Sequence, residues 1–562
     1  MKLMKALFKI FVVLSVVIFT SCNEQLTELN VNPNGVDPAI VNPNLMVPTI
    51  ITSTMKSYVD FSYQGDVAGV MNYVQKSGWG SGLNKYDWNS ERDWSGNYGI
   101  LRNAKHLYER ADEEGMEFQK GLATVIRAFN FAYIADSWGD APYTAALNAP
   151  NGEQEDLFPK FDTQEAIYKG IIEELKEANT ILSKPFGAYT GINQGADILY
   201  NGSPEKWRKL ANTLMLRYYL RLSVKLPAYA KAGIEEIMSN ANQFPIFTSN
   251  ADDATMDFIG SSDSDAWPAN TTFDASQSNF TRLQLCAGFR DVLVDYKDPR
   301  LDVWFNPVKT QIQVSTDYPE DDIVVDGVRY LRPEYMEANN MVLYNRNTWV
   351  DDVNAGKTLV DTAVFVGLPI ASTTGDGSGW NLNPNPIQGG PNPHNSALDD
   401  IYKNAKGPLL KARLISYAET CFILAEAAQR GWAAGGSQKD WYEKAIKASL
   451  DNWGVGSSYS SYITQQVVSY DGTLQQIIVQ KWIANWTVAH ESWCDWRRTG
   501  FPTLTVGPKG LREAMPLRFE YGGTEKARNN DNYLSAIRSL VETPATATDG
   551  KDSSWSKFWL LQ

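Results

Sequence analysis

Few residues in this chain could carry catalysis, and the best of them form an incomplete metal-binding motif. His490 and Glu491 begin like the His-Glu-x-x-His helix of zinc peptidases, but Cys494 stands where the second histidine belongs. The chain has only three histidines, so a histidine-rich metal site is excluded, and a lone His490/Cys494 pair lacks further ligands. The sequence contains no Gly-x-Ser-x-Gly nucleophile elbow and no phosphate-binding P-loop.

Acidic residues offer two other kinds of chemistry. Glycoside hydrolysis requires two carboxylates at a set separation, and nothing among the 65 acidic residues singles out such a pair. Asp252-Asp253 with Asp257, and Asp263 with Asp265, could supply oxygen ligands to Ca²⁺, but neither set fits an EF-hand loop, and solvated turns are the favoured interpretation. We therefore predict a protein that is not an enzyme and has no metal or cofactor.

Binding chemistry is better represented, because the chain has 18 tryptophans. A flat aromatic side chain can cover the C–H face of a sugar, while Asn, Asp and Arg satisfy its hydroxyl groups. Tryptophans in helical stripes are predicted to lie in the core: Trp207, Trp441, Trp453 and Trp482. Tryptophans in loops rich in Gly, Asn and Ser are ligand-binding candidates: Trp79, Trp88, Trp267, Trp349 and Trp380, with Asn84 and Asp87 as polar partners. Packing in a satellite core is the competing interpretation for each of them.

The elements that must position these residues are predicted to be mainly helical. Two apolar stripes with spacings of three and four are typical of amphipathic helices. They are Phe118, Leu122, Val125, Ile126, Phe129 and Tyr133, and Ile167, Ile171, Leu175, Ala178 and Leu182. Asp162 or Thr163 is the expected N-cap of the second stripe, and Ser203-Pro204-Glu205 opens a third helix in capping order. Consecutive helices of this kind favour antiparallel hairpins like those of tetratricopeptide repeats.

The helical pattern stops near residue 244 and returns near residue 407. Between them, Gly, Asn, Asp, Pro and Ser interrupt short strand-like pieces such as Ile323–Val325. A stretch this long without clear elements indicates a functional loop region or an inserted lobe. Beyond it, Tyr417–Ala427 and a stripe from Tyr442 to Trp453, stopped by Gly454, indicate helices again. The predicted fold is mainly α, a tetratricopeptide-like helical scaffold with an inserted, loop-rich, ligand-binding lobe.

The first residues have the features of a secretory signal. Lys2, Lys5 and Lys9 precede an apolar run, 10–20, that is too short to span a bilayer. The residues that end in Cys22 resemble a bacterial lipobox, in which the cysteine is acylated after cleavage; an ordinary signal peptide with an unrelated cysteine is the alternative. Two or more acyl chains, such as palmitate, form a stable membrane anchor.

The full chain divides into six predicted segments. They are a lipoprotein signal peptide (1–21), an extended tether rich in Asn and Pro (22–48), an N-terminal helical scaffold (49–243), the loop-rich inserted lobe (244–406), a C-terminal helical scaffold (407–500), and C-terminal loops and tail (501–562). The length exceeds that of a single compact core, so the chain contains either several domains or helical repeats.

Composition narrows the class of protein further. With 43% hydrophobic and 21% charged residues, the chain is globular. A net charge of −14 without a Lys/Arg run excludes nucleic acid as a favoured partner. After acylation of Cys22, only Cys286, Cys421 and Cys494 remain, too few for a disulfide framework. We expect them to be buried small apolar residues, with a Cys421–Cys494 bridge as the open alternative.

Several motifs along the chain occur together in one known family. They are Leu26–Asn34, Asp136–Tyr143, Trp207–Asn212 with Leu216-Arg217, Tyr417–Ala428, Gln480–Trp482 and Trp493–Gly500. In these motifs and their order, the chain resembles the SusD/RagB family of outer-membrane nutrient-binding lipoproteins, specifically its SusD-like branch.

The resemblance implies a tetratricopeptide-like scaffold with a variable ligand-binding lobe. It implies a lipid-anchored location at the outer membrane, exposed on the cell surface, and a SusC-like TonB-dependent transporter as partner. In relatives the early loop, which here contains Trp79, and the middle lobe line the pocket. The leading expectation is capture of nutrient oligosaccharides for that transporter. Peptide binding, as in some relatives, and a helical scaffold that binds only protein are the alternatives.

Overall fold

The computed structural model describes residues 40–63, 65–78, 85–86, 88, 92–373, 377–387 and 389–562. The predicted signal peptide, most of the tether, Cys22, Trp79, Asn84 and Asp87 lie outside these ranges. Within them, no helix is both long enough and apolar enough to cross a membrane.

The N-terminal part consists mainly of helices that pack on their neighbours in sequence. Its elements are α1 (Pro43–Tyr63), α2 (Asp66–Val70), β1 (Val74–Lys76), α3 (Ser95–Glu113), α4 (Glu117–Trp138), α5 (Gln164–Ile181), α6 (Pro204–Arg221) and α7 (Pro227–Ser239). Helix α3 packs on α4, α4 on α5, α5 on α6 and α6 on α7. Short connections between α3 and α4 and between α6 and α7 make these pairs antiparallel hairpins.

Capping residues explain where two of these helices begin. The hydroxyl of Thr163 accepts a hydrogen bond from Ala166 N at the start of α5, and Ser203 does the same for Lys206 N at the start of α6, with Pro204 in the first turn. Asp162, the other candidate cap, instead accepts from the backbone N–H groups of Tyr143 and Thr144.

The predicted extended tether ends earlier than expected, because α1 begins at Pro43. The side chain of Asn42 accepts a hydrogen bond from Asn44 N, and its carbonyl accepts one from Leu45 N, which opens the first turn. Pro43 lacks an N–H that would be unpaired in the first turn in any case. The proline content that indicated an extended chain therefore starts a helix here, with Pro48 inside it.

The middle of the chain contains short elements. They are β2 (Ala254–Asp257), α8 (Ser278–Thr281), β3 (Leu283–Leu285), α9 (Ala287–Asp295), α10 (Leu301–Trp304), β4 (Gln311–Val314), β5 (Asp322–Val325), β6 (Val328–Leu331), α11 (Pro333–Ala338), β7 (Met341–Leu343), α12 (Trp349–Asn354), β8 (Thr358–Val360) and β9 (Lys411–Ile415). Strand β6 lies between β4, parallel to it, and β5, antiparallel to it. The strand-like Ile323–Val325 is confirmed as part of β5.

Two-stranded pairings tie this middle segment to the rest of the chain. Strand β1 pairs with β3 in antiparallel register, Val74 opposite Leu285, and β2 pairs with β9, Ala254 opposite Ile415. Strands β7 and β8 form a separate parallel pair.

The segment 244–406 shares much of its core with the helices. Trp267, Phe289 and Trp304 pack in one aromatic cluster with Trp482 and Trp486 of the C-terminal part. A small separate core is found near the three-stranded sheet, built from Ile312, Leu331, Met336 and Val360. The loop-rich sequence therefore folds largely onto the scaffold.

Helices return in the C-terminal part, as predicted. They are α13 (Tyr417–Gln429), α14 (Gln438–Asn452), α15 (Tyr459–Ile463), α16 (Leu474–Ala484), α17 (Ala489–Thr499), α18 (Gly523–Arg528) and α19 (Asn530–Ala536). Helix α14 ends before Gly454, whose φ of 75° is the left-handed conformation that suits glycine. Trp207, Trp453 and Trp482 are buried as predicted, whereas Trp441 is half-buried. Cys286, Cys421 and Cys494 are buried free thiols, so the alternative of a Cys421–Cys494 bridge is wrong.

Candidate functional site

Residues of the family-like motifs meet in one buried network of charges. Arg217 of α6 donates to both carboxylate oxygens of Glu419 on α13, at 2.8 and 2.7 Å. Arg221, one turn further along α6, donates to Glu491 of α17 at 2.7 Å. The described members with side chains at most 5% exposed are the acids Asp136, Glu419, Glu426, Glu491 and Asp495 and the cations Arg217, Arg221, Lys481 and Arg498. Because opposite charges neutralise one another across α4, α6, α13, α16 and α17, we interpret these motif residues as the centre of the scaffold.

The lowered pKa of one carboxylate in this network, Glu426, leads us to predict that acid lowers the stability of the protein. Burial raises the pKa of Glu426, but Arg498 and Arg430 outweigh it and hold that pKa at about 2. A lowered pKa contributes stability above the ordinary value near 4.5, and this contribution is lost as the pH falls toward 2. Between pH 7 and pH 2.5, we expect the wild type to lose about 2–3 kcal/mol more unfolding free energy than Glu426→Gln. Denaturant unfolding of both proteins across this pH range measures the difference, and parallel curves would contradict it.

The incomplete zinc motif lies beside this network. Asp136, His490 and Cys494 place one ligand atom each within 4.8 Å of one another, all buried. Arg221 pairs with Asp136 at 3.1 Å, and Arg497 donates to the sulfur of Cys494 at 3.0 Å. Two of the three candidate metal ligands, Asp136 and Cys494, are therefore already bound by the guanidinium groups of Arg221 and Arg497. Burial also raises the pKa of the Cys494 thiol to about 12, which disfavours the nucleophilic thiolate.

One residue of each acidic pair considered for Ca²⁺ accepts hydrogen bonds from its own turn. Asp252 accepts hydrogen bonds from the backbone and hydroxyl of Thr248 and from Lys209. Asp265 accepts from the backbone N–H groups of Ser261 and Ser262 and takes part in a capping box. Their oxygens are used within the chain, in agreement with the turn interpretation.

The four described tryptophans among the predicted ligand-binding residues are all buried. Trp88 stacks on Phe519, with ring centroids 4.7 Å apart, and Trp267 packs on Tyr63 at 4.6 Å. All four tryptophans belong to the main hydrophobic core, so the loop-like composition of the sequence around them did not indicate exposure. Trp349 and Trp380 are 5% and 4% exposed and lie near the same residue, Tyr344. Ligand contact by these residues stays a prediction, and it is best supported for Trp349.

Trp349 is not in a loop, as the sequence suggested, but is the first residue of α12. Its N–H donates to the carbonyl of Asn345, and the Thr348 hydroxyl donates to Asp352 at 3.0 Å, which stabilises the first turn. The helix holds the indole at the wall of a cavity of about 220 Å³. We call this space the Trp349 cavity.

The Trp349 cavity combines an aromatic wall with amide and hydroxyl groups. Tyr344, Asn347, Thr503 and Thr505 line it together with Trp349, and Asn347, Thr503 and Thr505 are exposed. Aromatic faces beside amide and hydroxyl groups match the two surfaces of a neutral sugar. The arrangement can bind a polyol.

The charged residues Asp291 and Arg346, which also line the cavity, are paired within the protein. The Tyr344 hydroxyl donates to Asp291 at 3.0 Å, and Arg290 donates to Asp291 at 2.7 Å. Burial raises the pKa of Asp291 above its ordinary value, although Arg290 acts in the opposite direction. Arg346 donates to Asp295 at 2.7 Å. Such paired groups favour a neutral ligand over an ionic one.

Sequence reasoning missed most of the residues that accompany Trp349. Tyr344 and Asn347 follow β7, whereas Thr503 and Thr505 come from the segment after α17. The run Tyr344-Asn345-Arg346-Asn347 before Trp349 is a local clue, because consecutive polar side chains stand there between two aromatic residues. No such clue marks Thr503 and Thr505.

Comparison with known proteins identifies the family. A family model described as "SusD-like_2: Starch-binding associating with outer membrane" matches residues 38–328 and 382–522. The chain belongs to the SusD-like family. The matched ranges contain the charge network, whereas Tyr344, Asn347 and Trp349 lie in the unmatched stretch between them. A search of curated proteins gives no match.

Solved SusD homologues have the same fold. One from Bacteroides fragilis is 19% identical, with a TM-score of 0.68, and the alignment covers 93% of this chain and 100% of that one. A chitin-binding SusD homologue from Flavobacterium johnsoniae is 21% identical, with a TM-score of 0.67 and coverage of 92% and 98%. These matches confirm the predicted helical, tetratricopeptide-like architecture of the SusD-like chain.

Proposed function

We propose that this SusD-like protein is a non-enzymatic surface lipoprotein that binds neutral oligosaccharides at the Trp349 cavity and delivers them to a TonB-dependent transporter. The observation that carries the proposal is the aromatic wall of Trp349 beside exposed amide and hydroxyl groups. The family description, which names starch binding and the outer membrane, supports the ligand class and the location. A chitin-binding homologue with the same fold supports a glycan rather than a peptide.

Calorimetric titration with glycan oligomers tests the binding proposal. We expect saturable binding of a neutral oligosaccharide that depends on Trp349, without any change in the oligosaccharide recovered afterwards. Absence of binding across β- and α-linked glucans and amino-sugar oligomers would contradict the proposal, as would product formation by the purified protein.

Membrane attachment is a separate part of the proposal. Cys22→Ser removes the sulfur that would be acylated, so we expect the variant in the soluble envelope fraction, whereas the wild type stays with membranes. Fractionation in high salt followed by immunoblotting measures this, with Cys421→Ser as the control that leaves the anchor intact. A Cys22→Ser variant that remains in the membrane fraction would show that Cys22 is not the anchor.

A further inference from the structure

A second cavity, of about 640 Å³, adjoins the Trp349 cavity. It lies between α9, the residues after β7 and the segment 360–365. Four residues line both cavities: Asp291, Tyr344, Arg346 and Asn347. A ligand longer than one sugar unit can therefore contact both. We call the second space the Leu343 cavity.

The rim of the Leu343 cavity is unusually apolar for a solvent-facing surface. Val294, Leu343 and Val364 line it and are 45%, 51% and 55% exposed. Three exposed aliphatic side chains around one cavity form a patch of the kind that marks a binding site, whereas single exposed residues do not. An apolar group of the ligand is the chemistry that this rim favours.

Charged residues in the Leu343 cavity are compensated by each other. Arg290 donates to Asp361 at 2.8 Å and to the carbonyl of Phe365 at 2.6 Å, in addition to its bond with Asp291. Arg346 is held by Asp295. Asn345 and Asn347 also line the cavity and are exposed, and an amide group can both donate to and accept from another amide.

We propose that the Leu343 cavity recognises the acetamido groups of an oligomer of N-acetylated amino sugars. This inference rests on the proposed function, because the sugar ring next to the acetamido group would lie against Trp349. The acetamido methyl group would contact Val294, Leu343 and Val364, and its amide would bind Asn345 or Asn347. The ligand is neutral, as the paired charges of both cavities require.

Three β-1,4-linked hexamers separate this inference from general sugar binding. Chitohexaose carries acetamido groups, cellohexaose carries hydroxyl groups in their place, and fully deacetylated chitosan hexamer carries ammonium groups. Since one methyl group in an apolar pocket changes affinity by about 10–200-fold, we expect chitohexaose to bind at least tenfold more tightly than either of the others.

Variants at the rim locate the preference. Leu343→Ser and Val364→Ser should lower the affinity for chitohexaose about tenfold and leave that for cellohexaose unchanged. Val324→Ser is the matched control, because Val324 is 59% exposed on β5 and lines neither cavity. Thermal melts of all three variants report whether they fold.

The outcomes distinguish the two proposals. Equal binding of chitohexaose and cellohexaose, or a preference that survives both rim substitutions, overturns the inference but leaves sugar binding intact. If none of the hexamers binds and a neutral, leucine-rich peptide binds in a manner that depends on Leu343, the rim serves a peptide, and both proposals fail.

Discussion

Replacing Glu491 with glutamine is expected to lower the free energy of unfolding by about 3–5 kcal/mol, the range found when one partner of a buried ion pair is removed. Glu491 lies 2.7 Å from Arg221, 3.5 Å from Arg217 and 3.6 Å from Lys481, with 2% of its side chain exposed. Burial raises the pKa of Glu491, but Arg221, Arg217 and Lys481 outweigh it and lower that pKa well below its ordinary range. Removing its charge leaves three buried cations without their shared partner.

Urea unfolding, followed by circular dichroism, measures this loss. Glu334→Gln is the matched control, because Glu334 pairs with Arg332 at 3.3 Å on the surface and 66% of its side chain is exposed. We expect the control to change stability by less than about 1 kcal/mol. A Glu491→Gln variant as stable as the control would show that the network is not the centre of the scaffold.

Replacing Trp349 with alanine is expected to weaken oligosaccharide binding about 10–100-fold, which corresponds to about 1–3 kcal/mol, the range of interface hot spots. Trp349 lines the Trp349 cavity, and its loss removes one of the aromatic side chains against which a sugar ring can lie. Because Trp349 is only 5% exposed, some loss of stability accompanies the loss of affinity.

Trp267→Ala separates binding from packing. Trp267 is 1% exposed, lies in the main core and lines neither cavity. We expect this variant to lose about 3–5 kcal/mol of unfolding free energy while the affinity of the folded protein stays unchanged. Titrations and thermal melts of both variants give the two readouts. Unchanged affinity in Trp349→Ala, measured on folded protein, would remove Trp349 from the site.

The local pattern of residues was sufficient for the helices. The stripe from Phe118 to Tyr133 is buried on α4, and Thr163 and Ser203 cap α5 and α6, because apolar spacing and capping act within a few turns of chain. Glycine-flanked tryptophans were a poorer guide. Trp88 and Trp267 pack on partners far away in sequence, Phe519 and Tyr402, and no local pattern contains such partners.

The sequence by itself determined the helical scaffold and the family-like motifs, because both depend on residues close together in the chain. Only the tertiary structure decided what those motifs do. Arg217, Glu419 and Glu491 come from three helices, and their charges neutralise one another only after the helices pack. The tertiary structure also decided the composition of the site. Trp349 lines the same cavity as Thr503 and Thr505, some 150 residues away in the chain, because the middle segment folds back on the scaffold. This arrangement depends on long-range packing, which neither periodicity nor loop composition encodes.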